Sequence, residues 1–437
     1  MSINRKKLAA VLCVAAIGIA VAATAGAASQ DAPGVTATTI TIGGTFPFSG
    51  PASLYATIPA AENAYYNWVN NHGQVHGRDI HTIFYDDQYN PGLTVPKVKQ
   101  LVQQDHVFAI VGSLGTAPAL ATWGFLNSHS VPQALLATGD SYWGACMSTS
   151  AFVPKPYCAT AKPWTTGWQP DYPSEARLYA KQILATNNSP QVGILYQNDA
   201  YGLNYRAAFR KKLGCPASGA CASIAQEESY TVGDSFAIMA GHMGALRAAG
   251  ADTVVLFSTP TASIRSMVAM TVALGTPWHP TTYLNNVSAN RYFMNLAEAS
   301  GANVAGVISS SYIKSQTVTP LDPGMQLAHD IIYATGDAGL KHQFDIGDNN
   351  IVYGLAVAWT AVDALRHAGA SPTRGSFRSA LRNLNESGGN ANPFVYPGMV
   401  VKTDPLRTYP MQQLILQSWD AGPHDWNTFG AVLNTGK

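Results

Sequence analysis

The chain carries little charge: Asp, Glu, Lys and Arg make up 12% of its 437 residues. The two signs nearly balance, with 26 basic against 25 acidic residues. That balance removes any electrostatic case for nucleic acid or an anionic membrane surface as partner. Reaction signatures are missing as well. There is no G-x-S-x-G elbow for a hydrolase serine. There is no H-E-x-x-H for zinc, no G-x-x-x-x-G-K-[ST] for nucleotide phosphates and no G-x-G-x-x-G for a dinucleotide. The eleven histidines are scattered. His72 and His76 stand four apart, but Gly73 and Gly77 beside them indicate a solvated turn, not one helix face. Asp86 and Asp87 are adjacent at a strand end, so their side chains diverge and read as loop-ordering groups, not as an acid/base pair. No metal and no cofactor is implied, and the chain reads as a binding protein and not as an enzyme.

Cysteine is scarce, five in all. Cys13 falls in an N-terminal stretch with basic Arg5, Lys6 and Lys7, an uncharged run from Leu8 to about Val21, and the small residues Ala25-Gly26-Ala27. This is the pattern of a secretory signal peptide over residues 1–27. Leu12 before Cys13 argues against a lipid-anchored cysteine. Taking Arg5, Lys6 and Lys7 from the 26 basic residues leaves 23 against 25 acidic ones in the mature chain. Export to a periplasm or the cell surface provides an oxidising setting, and the remaining cysteines sit as two close pairs. They predict two loop staples, Cys146–Cys158 and Cys215–Cys221.

What is abundant is apolar sequence, 47% of the chain, enough for a large core. About 410 mature residues exceed one usual core, so two domains are the default. Strand and helix patterns alternate through two blocks. In the first, Thr39–Gly43, Ile80–Tyr85, Val107–Val111 and Gln133–Ala137 read as strands. In the second, Val192–Tyr196, Thr253–Phe257 and Thr282–Leu284 do. Helical spacing recurs between them, including Glu175–Ala185, Leu203–Leu213, Ser235–Ala249 and Ser263–Leu274. Alternation of this kind implies parallel sheets covered by helices on both faces. The stretch Lys155–Ser174 separates the blocks as a crossing segment. Further on, Pro323–Ala338 and Ile351–Ala368 read as helices, and Val395–Val401 and Gln413–Gln417 as strands.

In open α/β sheets ligands sit beyond the carboxyl ends of the strands. The loops collected there are 48–55, 112–117, 138–143, 197–201, 258–261 and 285–288. They are rich in Ser, Thr, Asn, Gly and aromatic residues. Hydroxyls and exposed amides bind a carboxylate, and rings supply a flat apolar wall, a composition suited to a small acid or zwitterion.

The same loops carry a resemblance. TITIGGTFPFSGPAS at 39–53, YDD at 85–87, AIVGSLGT at 109–116, VPQALLATGDSYWG at 131–144, PWTTGWQPDYPSEARLYAKQIL at 163–184 and ILYQNDAYG at 194–202 follow one another in family order. In these the chain resembles the type I periplasmic binding proteins of the branched-chain amino acid transporter class. The resemblance implies an α/β fold of two Rossmann-like lobes joined by three crossing segments. One lobe takes in 36–168 and 310–407, the other 169–309 and 408–437. It implies a monomer that traps a small amino acid-like, carboxylate or amide solute and delivers it to an ABC transporter permease. A ligand sensor for a membrane receptor, or a secreted enzyme on the same scaffold, is the alternative. By correspondence of motifs the implied ligand-binding residues are Tyr55, Gly115, Thr116, Gly139, Asp140, Ser141, Tyr201 and Asn285. Tyr172, in the crossing segment, either caps the pocket or packs in the core. Asp140 and Asn285 depart from the amino-acid pattern. Asp140 either meets a donor or cation on the ligand, or faces its own backbone as a turn residue.

Overall fold

The computed structural model describes residues 32–143, 162–317, 322–404 and 408–435. The leader and the Cys146–Cys158 pair lie outside these residues. A five-stranded parallel sheet comes first, built from β1 (Thr39–Phe46), β2 (Asp79–Asp86), β3 (Ala109–Val111), β4 (Gln133–Leu136) and β5 (Thr165–Gly167). Its order is β2-β1-β3-β4-β5. Helices α1 (Thr57–Asn71), α2 (Pro91–Gln103) and α3 (Thr116–Ser128) make the crossovers.

The chain then passes through Trp168–Asp171 to α4 (Tyr172–Thr186) and a second sheet. Its parallel strands are β6 (Val192–Gln197), β7 (Ile224–Tyr230), β8 (Thr253–Phe257), β9 (Thr281–Leu284) and β10 (Ile308–Ser311). They are interleaved with α5 (Ala200–Lys212), α6 (Phe236–Ala248), α7 (Pro260–Val272) and α8 (Arg291–Ala299). The chain returns to cover the first sheet with α9 (Pro323–Ala334), α10 (Ala338–Asp345), α11 (Asn349–His367) and α12 (Arg374–Leu381). A small hairpin, β11 (Asn385–Glu386) and β12 (Val401–Lys402), follows. A third passage leads to β13 (Gln413–Asp420) and β14 (Asp425–Asn434), which add to the second sheet antiparallel. That sheet runs β14-β13-β10-β9-β8-β6-β7. Its parallel part therefore repeats the strand order of the first sheet. The fold is an α/β fold of two lobes crossed three times, as the sequence implies.

Local chemistry accounts for the element ends. Asn90, Asp171, Asp199, Ser235, Asp322 and Asp348 each accept a first-turn amide as helix N-caps. They satisfy donors that no helical carbonyl can reach. The strand β8 reads TVVLF and every residue is buried, as a central parallel strand requires. Cys215 and Cys221 are disulfide-bonded, with Cα atoms 5.4 Å apart.

Three expectations change. Lys155–Ser174 is not wholly a crossing: its residues Thr165–Gly167 pair with β4 as the edge of the first sheet. Val395–Val401 is not a strand. Val395 makes one bridge to Ile313 and only Val401–Lys402 joins a ladder, because Pro397 and Gly398, at φ +83°, break the run. The helix expected over Pro323–Ala338 divides in two at Gly336 (φ +72°).

Candidate functional site

A reversal of strand order in each sheet makes a crevice. Between β1 and β3 in the first sheet, and between β6 and β8 in the second, neighbouring crossovers leave on opposite sides, and the loops part. The carboxyl ends of both sheets face the same cavity, which holds about 750 Å³ of empty space counting its mouth. The first sheet contributes Tyr55, Ile58, Tyr89, Leu114, Gly115 and Ala137. The second contributes Tyr201, Thr259, Asn286, Val287, Ala289, Asn290 and Ser310. Gln169, Tyr172, Tyr312 and Ile313 come from the crossings and their ends, and Asn349, Asn350 and Tyr353 from the start of α11.

Among the described residues six tyrosines and four asparagines stand in this wall, and no Asp, Glu, Lys, Arg or His does. Burial holds the phenols of Tyr55, Tyr172 and Tyr201 well above their ordinary value, so they stay neutral. The rings brace one another. Tyr172 meets Tyr201 edge-on at 5.0 Å and stacks on Tyr205 at 4.5 Å, and Tyr205 stacks on Phe257 at 4.6 Å. Several of the phenol oxygens are held by hydrogen bonds. Tyr55 donates to the Val287 carbonyl at 3.2 Å, and Tyr353 to Gln169 Oε1 at 3.2 Å. The Tyr201 oxygen accepts from Asn285 Nδ2.

Of the residues singled out in the sequence, Tyr55, Gly115, Tyr172 and Tyr201 line the cavity. Gly115, at φ +105°, has the Tyr89 ring 2.6 Å from where a Cβ would sit, so glycine alone fits both the backbone and the space. It stands as N-cap of α3, which has no side-chain cap. Thr116, Gly139, Asp140, Ser141 and Asn285 lie behind the wall. The Thr116 hydroxyl pairs with Thr138 at 2.6 Å, and Tyr172 donates to that same Thr138 oxygen at 3.2 Å. Gly139 is pressed against the Pro170 carbonyl and the Tyr172 ring. The Ser141 Oγ accepts from Asn204 Nδ2 at 2.6 Å. Asp140 accepts from its neighbour Tyr142 N–H at 2.9 Å, and its second oxygen has no partner among the described residues.

Several wall residues gave no signal in the sequence. Tyr89, Tyr312 and Tyr353 follow strands or open helices in stretches without loop motifs. Asn349 and Asn350 come from the C-terminal third and reach the cavity only through the return of the chain. Asp86 and Asp87 serve their own loop. Asp86 accepts from Ser49 and Gln88 amides, and Asp87 from the Tyr89 amide and the Thr94 hydroxyl.

The sequence profile described as periplasmic binding protein matches residues 39–422. The chain belongs to the periplasmic binding protein family. Solved structures of the same type I fold include a fatty acid ABC transporter substrate-binding protein from Thermomonospora curvata. It is 16% identical over 93% of this chain and 95% of that one, with a TM-score of 0.73. A branched chain amino acid ABC transporter protein from Thermus thermophilus with bound valine is 17% identical over 91% and 97%, with a TM-score of 0.73. An ABC transporter solute binding protein from R. palustris in complex with 4-hydroxybenzoate is 15% identical over 91% and 97%, with a TM-score of 0.69. No curated protein matches the sequence. These relatives are substrate-binding proteins, and at such identities they share the fold with this member of the family. Among the described residues no helix is long and apolar enough to cross a membrane, and no cluster of His, Cys, Asp or Glu could hold a metal ion.

Proposed function

We propose that the protein is an exported, monomeric substrate-binding protein that closes on a small carboxylate or amide and delivers it to an ABC transporter permease, without catalysing a reaction on it. We place the lobe boundaries near 168, near 310 and near 408. The observation that carries the ligand class is the uncharged, tyrosine-rich wall. A free ammonium in this cavity would meet no carboxylate, and an unpaired buried charge is strongly unfavourable. Three of the acids behind the wall are already engaged: Asp199 caps α5, Asp348 caps α11, and Glu175 accepts from two tyrosines. A carboxylate is better served. The first turn of α3 begins at Gly115 without a side-chain cap, and such an end favours an anion. Flat rings then suit an aromatic or apolar body, so an aryl or alkyl carboxylate fits better than an α-amino acid. The relatives described above with fatty acid and 4-hydroxybenzoate in their names are consistent with this, and valine marks the competing class.

Differential scanning fluorimetry tests it. Millimolar 4-hydroxybenzoate, benzoate or octanoate is expected to raise the melting temperature by several degrees, since a ligand at 100 times its Kd adds about 2.7 kcal/mol to stability. Valine and other zwitterions are expected to have little effect. Stronger stabilisation by valine than by every acid without an amine would overturn the assignment.

A further inference from the structure

We propose that the cleft selects a solute that donates an N–H or O–H at the end remote from its carboxylate, with Asn286 Oδ1 as acceptor and Glu175 as the residue that aims it. The inference rests on the reading of the cavity as the site of a small carboxylate.

Asn286 opens the short turn after β9 and forms part of the cavity wall. Behind it lies Glu175 in α4, only 1% exposed. Four donors converge on that carboxylate. Oε1 accepts from the Tyr179 hydroxyl at 2.5 Å and the Asn286 backbone N–H at 2.6 Å. Oε2 accepts from the Tyr205 hydroxyl at 2.6 Å and from Asn286 Nδ2 at 2.8 Å. An ionised carboxylate only accepts. The nitrogen of the Asn286 amide is therefore held against Glu175, and the oxygen is turned the other way. That oxygen is buried and has no partner among the described residues. Asn349 repeats the pattern: it also forms part of the wall, and its Oδ1 is buried without a partner among the described residues. The wall thus holds two acceptors that no described residue pairs. A solute that brings a donor satisfies them. One that cannot leaves a buried acceptor unpaired, and discrimination by such a group is large. Glu175 acts through Asn286 and is a positioning residue.

Isothermal titration calorimetry with 4-hydroxybenzoate and 4-fluorobenzoate tests this, because the pair are nearly the same size and differ in the donor. It is run at pH 8, above the value of about 7 to which burial pushes Glu175. The wild-type protein is expected to bind the hydroxy acid about tenfold tighter or more. In Glu175→Gln the new amide donates to Asn286, whose own amide turns round and presents nitrogen to the cavity. The preference is then expected to fall below about threefold, whereas a merely structural role for Glu175 would weaken both probes alike and leave the ratio unchanged. Asn286→Ala, which removes the acceptor while sparing the buried carboxylate, is expected to collapse the ratio in the same way. Equal affinity of the wild-type protein for the two probes overturns the inference and leaves the carboxylate reading standing. An unchanged ratio in both variants also overturns it. Binding of neither probe overturns the inference and the carboxylate reading together.

Discussion

Asp140 is a carboxyl group with nowhere to put its charge. It is fully buried, one oxygen takes the Tyr142 amide, and the charges acting on it among the described residues, Asp199 and Asp171, are acidic. Burial first, and those neighbours next, push it from 3.8 up to about 8. The folded protein therefore holds a proton that the unfolded chain has released between those two values. Its contribution to stability is whole below the ordinary carboxylate range and is lost as pH rises toward about 8. Asp140→Asn is isosteric and cannot ionise. Its stability relative to wild type is expected to climb from pH 5 to pH 8, by on the order of a few kcal/mol. Thermal unfolding at both pH values checks this, and a difference that does not change with pH would refute it. The sequence made Asp140 visible as an oddity in a familiar turn. It could not reveal whether the side chain met ligand or protein, because that depends on which neighbours the fold packs against it. The same holds for Tyr172: one residue number is consistent with a cap or with core, and only the crossing places it in the wall.

At the scale of elements, helices α1 and α11 lie nearly backbone to backbone. A Cβ on Gly354 of α11 would come 2.4 Å from the Ile58 carbonyl of α1 and 3.0 Å from the Ala61 methyl. Neither neighbour is a flexible side-chain tip, so Gly354→Ala must push the helices apart. A loss of about 1–3 kcal/mol is expected from overpacking. Ile58, Asn350 and Tyr353 in the cavity wall would move with it, so ligand affinity should fall too. Gly241 sits in the exposed face of α6 with nothing within 4 Å, and Gly241→Ala is expected to gain about 0.5–1 kcal/mol. Urea denaturation of both variants checks the pair, and equal shifts would refute it. Strands such as β8 could be read from the sequence because burial on both faces demands an unbroken apolar run. The strand β10 could not: it reads ISSS, and its serines are tolerated because Ser309 and Ser310 meet the Tyr179 hydroxyl. Nor could β5, three residues long, or β14, a half-exposed edge. The helix-plus-strand alternation was legible, and elements that depend on a distant partner were not.

At the scale of the molecule the two lobes touch around the rim of the cavity. Asn290 donates to Asp348 at 2.6 Å, Thr261 to the Pro51 carbonyl at 3.1 Å, and Asn204 exchanges hydrogen bonds with Ser141. Thr261 and Asn204 stand outside the wall, where their bonds would help hold the lobes together. The double variant Thr261→Val, Asn204→Ala is expected to bind ligand about fivefold to tenfold more weakly through faster release, because it stabilises the closed form less. Stopped-flow release kinetics, with X-ray scattering to follow contraction on ligand addition, would show it. Unchanged release would remove these contacts from the closing mechanism. The repeated strand order bears on something else. β3 leads to α3 as β8 leads to α7, and both helices begin at the cavity, at Gly115 and Thr259, without a side-chain cap. The backbone offers a guest the same welcome from either side, as a palindrome reads alike in both directions. Head and tail are told apart by the side chains laid over that repeated frame, so a handful of substitutions in the wall is expected to reverse the way a guest lies without moving a single strand.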